Sequence, residues 1–381
     1  MDGDFLIIGG GIAGLSAAAR LAKHGRAIVL EAEDALGYHS SGRSVSFSHY
    51  GIGDPIVRGL TAWSRAFFEN QPEGFCETPV AELDRSVYFA TAEMLPKLAL
   101  LRAEMARFTD EVAPLDEAGL LALCPMLRTG SDAAVAGLLD PTALKLDADA
   151  LLQSYARQLR AAGGTIFTGR RITKVSDSGG RWTAEAEDGA SWSAPILINA
   201  AGAWADGVAK LAGVRPIGLQ PKRRTVIVVD PPAGVDFSGL PFVHSAASDF
   251  YMLPQSGQLL VSPVDEVEDE AGDAQPDDYD VALAAYQLEQ YTTLAVTRVA
   301  HRWAGLRSFV ADRVPTAGFD PQAPGFFWLV GQGGYGLQTA PAMAAAVEAL
   351  ATGGAWPKGL AELGALPEAV KPERLFNGSA H

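Results

Sequence analysis

The 381-residue sequence has only two cysteines, Cys76 and Cys124, which lie far apart in the chain. So few cysteines argue against a disulfide framework or a cysteine-based metal site, and they fit a reducing compartment. No apolar run reaches the length of about eighteen residues that a membrane-spanning helix needs. The first residues carry Asp2 and Asp4 instead of the lysines of a secretory signal. These absences predict a cytoplasmic protein without a metal centre or a transmembrane segment.

Basic residues are also scarce. The chain has 30 lysines and arginines against 45 aspartates and glutamates, so its formal net charge is −15 at pH 7. This balance argues against a nucleic-acid partner, and an anionic ligand needs local positive groups to hold it against the overall field. Hydrophobic residues make up 48% of the chain. At this length, one large domain or two closely joined domains are expected.

The first thirty residues have the pattern of a βαβ unit. The apolar run 5–8 ends in glycines, residues 12–23 have helical spacing, and the apolar run 27–30 ends at Glu31. Gly9, Gly11 and Gly14 form the pattern Gly-x-Gly-x-x-Gly between the first strand and the helix. Glu31 follows about twenty positions later, which is the spacing of a dinucleotide-binding fingerprint.

Each residue of the fingerprint has its own physical reason. Gly9 permits a tight turn, Gly11 lets the backbone approach a pyrophosphate, and Gly14 allows close packing of helix and strand. The helix N-terminus offers N–H groups and partial positive charge to the diphosphate. Glu31 would accept hydrogen bonds from the ribose hydroxyls. The sequence therefore predicts a Rossmann-type nucleotide site, with a glycine-rich turn of another α/β fold as the alternative.

Two later segments favour FAD over NAD. Residues 196–204 are an apolar run followed by small residues and Trp204, and they resemble the second flavin contact of two-domain FAD oxidoreductases. Residues 326–346 read as a strand, a glycine-rich turn and an Ala-rich helix, and they resemble the third contact. The N-terminus of such a helix stabilises negative charge on the reduced flavin ring. Taken alone, residues 196–204 also fit a plain buried strand and turn.

Four longer strings carry a more specific resemblance: 37–44 (GYHSSGRS), 219–224 (LQPKRR), 303–309 (WAGLRSF) and 331–338 (GQGGYGLQ). With the fingerprint, they resemble the D-amino-acid oxidase-like (DAO) FAD amine oxidoreductases, and within them the bacterial D-arginine dehydrogenase type. The resemblance implies a Rossmann-type α/β FAD-binding domain interleaved with an α+β substrate domain on a mostly antiparallel sheet. The expected boundaries are 1–78, 143–217 and 305–381 for the FAD domain, and 79–142 and 218–304 for the substrate domain.

The resemblance also implies the cofactor contacts. Covalent attachment in some relatives uses a cysteine in the late glycine-rich region, and residues 331–338 contain none, so FAD is expected to bind non-covalently. The residues that match contact positions are Gly9, Gly11, Ile12, Ala13, Gly14, Glu31, Ser40, Ser41, Gly42, Arg43, Ser44, Val175, Ala201, Gly202, Trp204, Arg307, Gly333, Gly334, Tyr335, Gly336 and Gln338.

A substrate site follows from the same resemblance. Arg224 and Arg307 match arginines that bind the substrate carboxylate, and Tyr251 matches a tyrosine beside it. Gly334 matches the glycine whose carbonyl receives the substrate amine, and Gln338 matches a nearby polar residue. Two guanidinium groups suit a planar carboxylate because each donates charge-assisted, bidentate hydrogen bonds. A surface or interdomain ion pair is the alternative for either arginine alone.

Departures from the D-arginine enzyme type concern the substrate side chain and the proton acceptor. By ungapped alignment, Ser86 stands where that type has an acidic residue for the substrate guanidinium, and Glu82 or Asp84 would have to substitute. His49 and Tyr50 are the candidate bases, at a place where the alignment is ambiguous by two residues, and water is an equal candidate. A neutral or apolar D-amino acid therefore fits better than a basic one.

The expected reaction is oxidative deamination of a D-amino acid to a 2-oxo acid and ammonia, by hydride transfer to flavin N5. The electron acceptor, quinone or oxygen, stays open. The first alternative is an oxidase of glycine- or sarcosine-type amines. Two further alternatives are an L-2-hydroxyglutarate dehydrogenase-like flavoprotein and a non-enzymatic flavin- or nucleotide-binding module.

Overall fold

The computed structural model describes residues 1–376. Most strands are short and most connections between them are tight turns. The strands are β1 (Phe5–Ile8), β2 (Ala27–Leu30), β3 (Phe47–Ser48), β4 (Ala81–Leu83), β5 (Ser86–Ala90), β6 (Ala113–Leu115), β7 (Ala136–Asp140), β8 (Leu144–Leu146), β9 (Thr165–Phe167), β10 (Ile172–Asp177), β11 (Trp182–Ala186), β12 (Ser191–Ala194), β13 (Ile196–Asn199), β14 (Gln220–Val229), β15 (Phe242–Ser245), β16 (Tyr251–Gln255), β17 (Gln258–Ser262), β18 (Val267–Glu268), β19 (Val299–Phe309), β20 (Thr316–Phe319) and β21 (Phe326–Val330).

The helices begin after capping residues or glycine turns that the sequence makes visible. For example, Asp54 and Asp147 accept backbone N–H groups at the starts of the second and fifth helices. The helices are α1 (Ile12–Leu21), α2 (Pro55–Glu69), α3 (Leu95–Met105), α4 (Glu117–Leu123), α5 (Ala148–Ala161), α6 (Ala205–Leu211), α7 (Asp278–Tyr291), α8 (Gly336–Thr352), α9 (Pro367–Val370) and α10 (Glu373–Phe376). Within residues 1–376, no helix is both long and apolar enough to cross a membrane.

A six-stranded sheet in the order β20-β21-β13-β1-β2-β9 forms the nucleotide-binding half of the fold. Its pairs are parallel except β20–β21. Every residue of β1, β2 and β21 is buried, as expected when a parallel sheet is covered on both faces. Ile7 and Val29 pack with α1, α5 and α8 on one face. Leu6 and Leu30 pack on the other face with the β10-β11-β12 sheet and α6.

A nine-stranded sheet forms the other half. Its order is β18-β14-β17-β16-β15-β5-β7-β6, and β19 also pairs with β14. All of its pairs are antiparallel except β15–β5. Its strands come from residues 86–140 and 220–309, between segments that return to the first sheet. The predicted fold class, a Rossmann-type half interleaved with a mostly antiparallel α+β half, is confirmed.

Residues 266–279 are acidic and turn-rich, a pattern that predicts a solvated loop, but the structure differs from this prediction. Val267–Glu268 forms β18 and pairs with the edge of β14, where Lys222 is opposite Glu268. Ala274 is buried, and Glu266 lies on the wall of a cavity. The physical reason is that β14 has backbone groups to pair on this edge, and a passing segment satisfies them whatever its charge.

Candidate active site

The turn between β1 and α1 requires glycine at two positions. Gly9 has a φ of +115°, a conformation that favours glycine. A Cβ on Gly9 would overlap the Ala200 carbonyl, and a Cβ on Gly14 would overlap the Gly9 carbonyl oxygen. Gly11 caps α1 without a side-chain hydrogen bond. The turn therefore brings the helix N-terminus and bare backbone to its outer side, where a diphosphate can approach.

A cavity of about 430 Å³ opens beside this turn and suits the adenosine part of a dinucleotide. Glu31, at the end of β2, accepts hydrogen bonds from the N–H groups of Gly10 at 2.7 Å and Glu33 at 2.9 Å. These bonds fix the carboxylate on the cavity wall and leave lone pairs for ribose hydroxyls. The other predicted contacts on the same wall are Gly9, Gly11, Ser40, Ser41, Ala201, Gly202 and Trp204.

A narrower cavity of about 110 Å³ lies where the two glycine-rich turns meet. Gly333 has a φ of +51°, and a Cβ there would overlap the ring of Phe309. The helices α1 and α8 both begin on this cavity, so both helix dipoles favour negative charge in it. The predicted contacts on its wall are Gly11, Ile12, Ala13, Ser40, Ser41, Ser44, Gly202, Arg307, Gly333, Gly334 and Gly336.

The structure places Val175 in the apolar core, where it packs with Trp182, and not on a cavity wall. Ile172 lies on the adenosine cavity instead. The pairing of β10 with β11 shifts register between Ile172 and Lys174. A bulge of this kind changes which residues of a strand face a given side, and the sequence carries no visible sign of it.

Two predicted contacts in the loop 40–44 support the loop instead of lining a cavity. The Arg43 guanidinium donates to the carbonyl oxygens of Ala274 at 3.2 Å and Ala304 at 3.1 Å, and it pairs with Asp273. A Cβ on Gly42 would lie 2.7 Å from the Gly37 carbonyl oxygen. These residues fix the loop that carries Ser40, Ser41 and Ser44 to the narrow cavity.

Arg224 and Arg307 project from the same face of the antiparallel sheet. Arg224 on β14 is opposite Gly305 on β19, and Arg307 is two residues further along β19. Residues opposite each other and residues two apart share a face, and such diagonal neighbours are roughly 7–8 Å apart. The pairing of β14 with β19 therefore aims two guanidinium groups at one place. Both line a cavity of about 400 Å³, which we call the substrate cavity.

Arg307 is the buried cation of the substrate cavity that has no counter-ion. It is 6% exposed, and among residues 1–376 no side chain or carbonyl oxygen hydrogen bonds to its guanidinium. Burial, and then the nearby charge of Arg224, lower the pKa of Arg307 to about 10, so it stays charged at neutral pH. A buried, unpaired charge is costly. An anionic ligand in the cavity would remove that cost.

Arg224 is held in place by the segment that follows β17. Its Nε donates to the Asp265 carbonyl oxygen at 2.9 Å, and its Nη2 lies 3.4 Å from Glu266 Oε1. The Asp265 carboxylate in turn accepts the Thr225 N–H and hydroxyl. Val264, on the cavity wall, has a φ of +51°, which is strained for a β-branched residue. The strained residue thus lies in the segment that holds Arg224 in place.

Of the remaining predicted substrate residues, two line the substrate cavity and a third mainly supports its wall. Tyr251 and Gly334 line the substrate cavity, as does Tyr335. Gln338 also reaches it, but its amide is engaged, donating to Thr61 Oγ1 at 2.9 Å and accepting the His49 N–H at 3.3 Å. Gln338 therefore ties α8 to α2 and to the loop that carries His49.

His49 and Tyr50 have different surroundings. His49 lines the substrate cavity, and its Nδ1 lies 2.7 Å from the Tyr88 hydroxyl. Tyr50 lies outside the cavity wall, with its ring stacked on Phe108 and beneath the Arg65 guanidinium. Of the two candidates, only His49 lies on the wall of the substrate cavity.

Aromatic side chains of β5 and β15 also line the substrate cavity. They are Tyr88, Phe242 and His244, and no sequence motif pointed to any of them. Ser86 is fully buried on β5 and lies off the wall, while Glu82 lines a different cavity. Tyr88, two residues after Ser86, is the residue of β5 that lines the substrate cavity.

Acid is expected to destabilise the fold through His49. Burial, and then Arg58, lower the pKa of His49 from 6.5 to about 3, and its other polar neighbours, Tyr88 and His244, carry no negative charge to offset this. Between these values the unfolded chain binds a proton that the folded chain excludes. The free energy of unfolding should therefore fall as the pH falls through this window, by up to about 1.4 kcal/mol per pH unit.

The measurement is urea unfolding at several pH values from 7 to 4, for the native protein and for His49→Gln. The variant lacks the titrating ring, so its stability should depend less steeply on pH. Equal slopes for the two proteins would contradict the assignment to His49.

The geometry can now be compared with known proteins. Residues 4–350 match the family model described as DAO, FAD dependent oxidoreductase. The chain belongs to this family. A curated relative, FAD-dependent oxidoreductase domain-containing protein 1 of Xenopus laevis, is 28% identical over 178 residues, which cover 42% of this chain and 35% of the relative. The Bos taurus protein of the same name is 27% identical over 235 residues, 52% of this chain and 47% of the relative. The chain spans less than half of either relative's length.

Solved structures share the fold over nearly the whole chain. L-α-glycerophosphate oxidase from Mycoplasma pneumoniae with FAD bound has a TM-score of 0.83 at 19% identity, covering 92% of this chain and 95% of that one. Glycine oxidase from Geobacillus kaustophilus has a TM-score of 0.80 at 20% identity, covering 93% and 95%. L-proline dehydrogenase from P. horikoshii has a TM-score of 0.82 at 18% identity, covering 99% of both chains.

The DAO-family chain fits FAD on its own geometry. Glycine backbone borders the adenosine and narrow cavities, and a Cβ on Gly9 or Gly333 would overlap neighbouring residues. Glu31 is fixed where a ribose would lie, and two helix N-termini meet at the narrow cavity. These features agree with membership of the FAD-dependent oxidoreductase family.

Proposed function

We propose that this FAD-dependent oxidoreductase oxidatively deaminates D-amino acids with neutral side chains to 2-oxo acids and ammonia. The observation that carries the proposal is Arg307, a buried cation without a counter-ion. Arg307 lines both the narrow cavity, where the flavin would bind, and the substrate cavity, which Arg224 also lines. A substrate carboxylate at Arg307 would satisfy this cation and lie next to the flavin. The D configuration and the likeness to D-arginine dehydrogenases stay predictions from the sequence.

Each residue has a distinct part in the proposed complex. Arg307 and Arg224 bind the carboxylate, and the Tyr251 hydroxyl donates a further hydrogen bond. The Gly334 carbonyl accepts a hydrogen bond from the amine, which fixes the orientation of Cα. When bound, FAD supplies the acceptor for the hydride that leaves Cα. His49, with a pKa of about 3, is a poor base at neutral pH, so the amine proton passes to water.

Non-covalent binding and a two-domain division belong to the same proposal. Neither Cys76 nor Cys124 lines the adenosine, narrow or substrate cavity, which supports FAD without a thioether link. The two large sheets draw their strands from alternating stretches of the chain. This alternation supports the interleaved boundaries 1–78, 143–217 and 305–381 against 79–142 and 218–304.

An anaerobic substrate panel tests the proposal. The FAD-loaded protein is mixed with D-amino acids, their L enantiomers, glycine and sarcosine, and flavin absorbance is followed. Neutral D-amino acids should bleach the oxidised spectrum, and D-arginine and D-lysine should do so at least about tenfold more slowly, because the carboxylates on the cavity wall already have partners. Release of a 2-oxo acid and ammonia should match the flavin reduced.

The same panel distinguishes the alternatives. Bleaching by glycine or sarcosine alone would favour the secondary-amine oxidase, and bleaching by L enantiomers alone would contradict the stereochemical part. An intact spectrum with every amine would reject amine oxidation. Admitting air after reduction then measures whether oxygen accepts the electrons, since rapid reoxidation with peroxide is the mark of an oxidase.

A further inference from the structure

Two imidazole rings lie side by side on the wall of the substrate cavity. The ring centroids of His49 and His244 are 4.8 Å apart. His244 stacks on Tyr88, with centroids 4.9 Å apart and an interplanar angle of 13°, and its centroid is 3.9 Å from that of Phe242. Burial holds the pKa of both histidines well below its usual value. Both rings are therefore neutral at physiological pH.

The hydrogen bonds of His49 determine which nitrogen carries its hydrogen. Nδ1 lies 2.7 Å from the Tyr88 hydroxyl and accepts the Gly51 backbone N–H at 3.3 Å. A backbone N–H can only donate, so Nδ1 is an acceptor and the hydrogen of the neutral ring is on Nε2. Among residues 1–376, no group accepts a hydrogen bond from Nε2. His49 thus has a free donor on a ring that is 5% exposed.

His244 also has an unsatisfied polar atom. Its Nε2 is buried and has no hydrogen-bond partner in the described part of the chain. Leaving a buried polar atom unpaired is costly. The unpaired His244 nitrogen and the free donor of the neighbouring His49 ring therefore favour a ligand that can form hydrogen bonds here.

The acidic groups on the wall are already engaged. Glu266 pairs with Arg313 at 2.7 Å and with Arg224 at 3.4 Å. Asp312 pairs with Arg374 at 2.7 Å, and Asp54 accepts the Val57 N–H at the start of α2. Two of these carboxylates are neutralised by arginines and the third caps a helix, so a cationic side chain would have to compete for them. An apolar side chain would leave the imidazole nitrogens unpaired.

We infer that His49 and His244 form a subsite for a planar substrate side chain that carries a neutral hydrogen-bonding group, such as a phenol. The inference rests on the proposed function, because it takes the substrate to be an amino acid held by its carboxylate at Arg307. A phenol both donates and accepts, and its ring can pack against Phe242 and Tyr88. A site built for hydrogen bonding discriminates strongly against an analogue that lacks the group.

D-Tyrosine and D-phenylalanine provide the sharpest comparison, because they differ by one hydroxyl. In anaerobic stopped-flow reduction of the FAD-loaded native protein, kcat/KM for D-tyrosine should exceed that for D-phenylalanine at least about tenfold. Equal values, or a preference for D-phenylalanine, would overturn the subsite. If neither reduces the flavin, the subsite is overturned when another neutral D-amino acid does so, and the proposed function is rejected when none does.

Variants test which residues carry the preference. In His244→Phe the ring remains but its nitrogens are lost, so the ratio of the two kcat/KM values should fall close to one. His301→Phe is the matched control, because His301 is exposed and lies off the substrate cavity, and it should keep the native ratio. A native ratio in both His244→Phe and His49→Phe would overturn the assignment to these histidines.

Ligands that bind without being oxidised test the subsite independently of amine oxidation. 3-(4-Hydroxyphenyl)propionate and 3-phenylpropionate keep the carboxylate and the ring but have no amine. Titration of the oxidised FAD-loaded protein, followed by the change in flavin absorbance, should give a Kd at least about tenfold lower for the hydroxylated acid. Equal Kd values would contradict the subsite even if no amine is ever oxidised.

Discussion

Arg307→Met is expected to weaken substrate binding about 100-fold or more while FAD stays bound and the ligand-free fold loses no stability. Arg307 would bind a carboxylate through charge-assisted hydrogen bonds, and losing about 3 kcal/mol of binding free energy corresponds to about 100-fold in Kd. In the ligand-free protein the same guanidinium is buried, has no counter-ion and lies near Arg224. Methionine has a similar length and no charge, so it removes a destabilising group.

The measurement combines two titrations. Flavin reduction against substrate concentration gives the apparent Kd, and urea unfolding gives the free energy of unfolding. Arg302→Met is the matched control: it lies on the same strand, is exposed and pairs with the exposed Asp278, so both quantities should stay near their native values. A native substrate Kd in Arg307→Met would reject the carboxylate role. A large loss of stability would show that Arg307 serves the fold instead.

Local sequence patterns account for the nucleotide-binding half. The β1 turn, α1 and Glu31 come from one continuous stretch, and the identity of each residue follows from the backbone it must adopt. The turn before α8 is equally local, since Gly333 and Gly336 lie between an apolar strand and an Ala-rich helix. Such features depend on neighbours in the chain, so they are visible without knowing the pairing of distant strands.

The substrate half depends on pairings that the sequence does not reveal. His244 and Tyr88 meet because β15 pairs in parallel with β5, with His244 opposite Tyr88. These strands are more than 150 residues apart, and neither has a motif of its own. Likewise, no sequence pattern indicates that Ile172, and not Val175, lies on the adenosine cavity. Matched strings brought Arg224 and Arg307 to attention, but only the β14–β19 register shows that they share a face.

The position of Ser86 shows what ungapped alignment leaves out. The alignment places Ser86 where the D-arginine type has an acidic residue, but Ser86 is fully buried and does not line the substrate cavity. Residues of β5 and β15 line this part of the wall instead. Tyr88, Phe242 and His244 make the wall aromatic and neutral, while Glu266 brings an acidic group that Arg313 and Arg224 neutralise. The predicted preference for a neutral substrate therefore depends on several wall residues and not on position 86 alone.

Gly14→Ala is expected to abolish FAD binding and to destabilise the fold by roughly 3 kcal/mol, the upper part of the range for overpacking. The new Cβ would overlap the Gly9 carbonyl oxygen, and backbone cannot move aside as a flexible side chain can. Gly9 is itself held at a φ of +115° against Ala200. Relief of the overlap must separate α1 from β1, and that displaces the helix N-terminus from the narrow cavity.

Gly207→Ala is the matched control, because Gly207 also lines the adenosine cavity but lies in α6 with open space around the position of a Cβ. It should bind FAD normally, and it should be as stable as the native protein or more so, since alanine favours helix. Flavin content after purification and the urea midpoint give both readouts. Normal flavin content in Gly14→Ala would mean that the close contact of α1 with β1 is not what positions the diphosphate. Loss of flavin in both variants would place the requirement in the cavity wall as a whole instead of in the fingerprint turn.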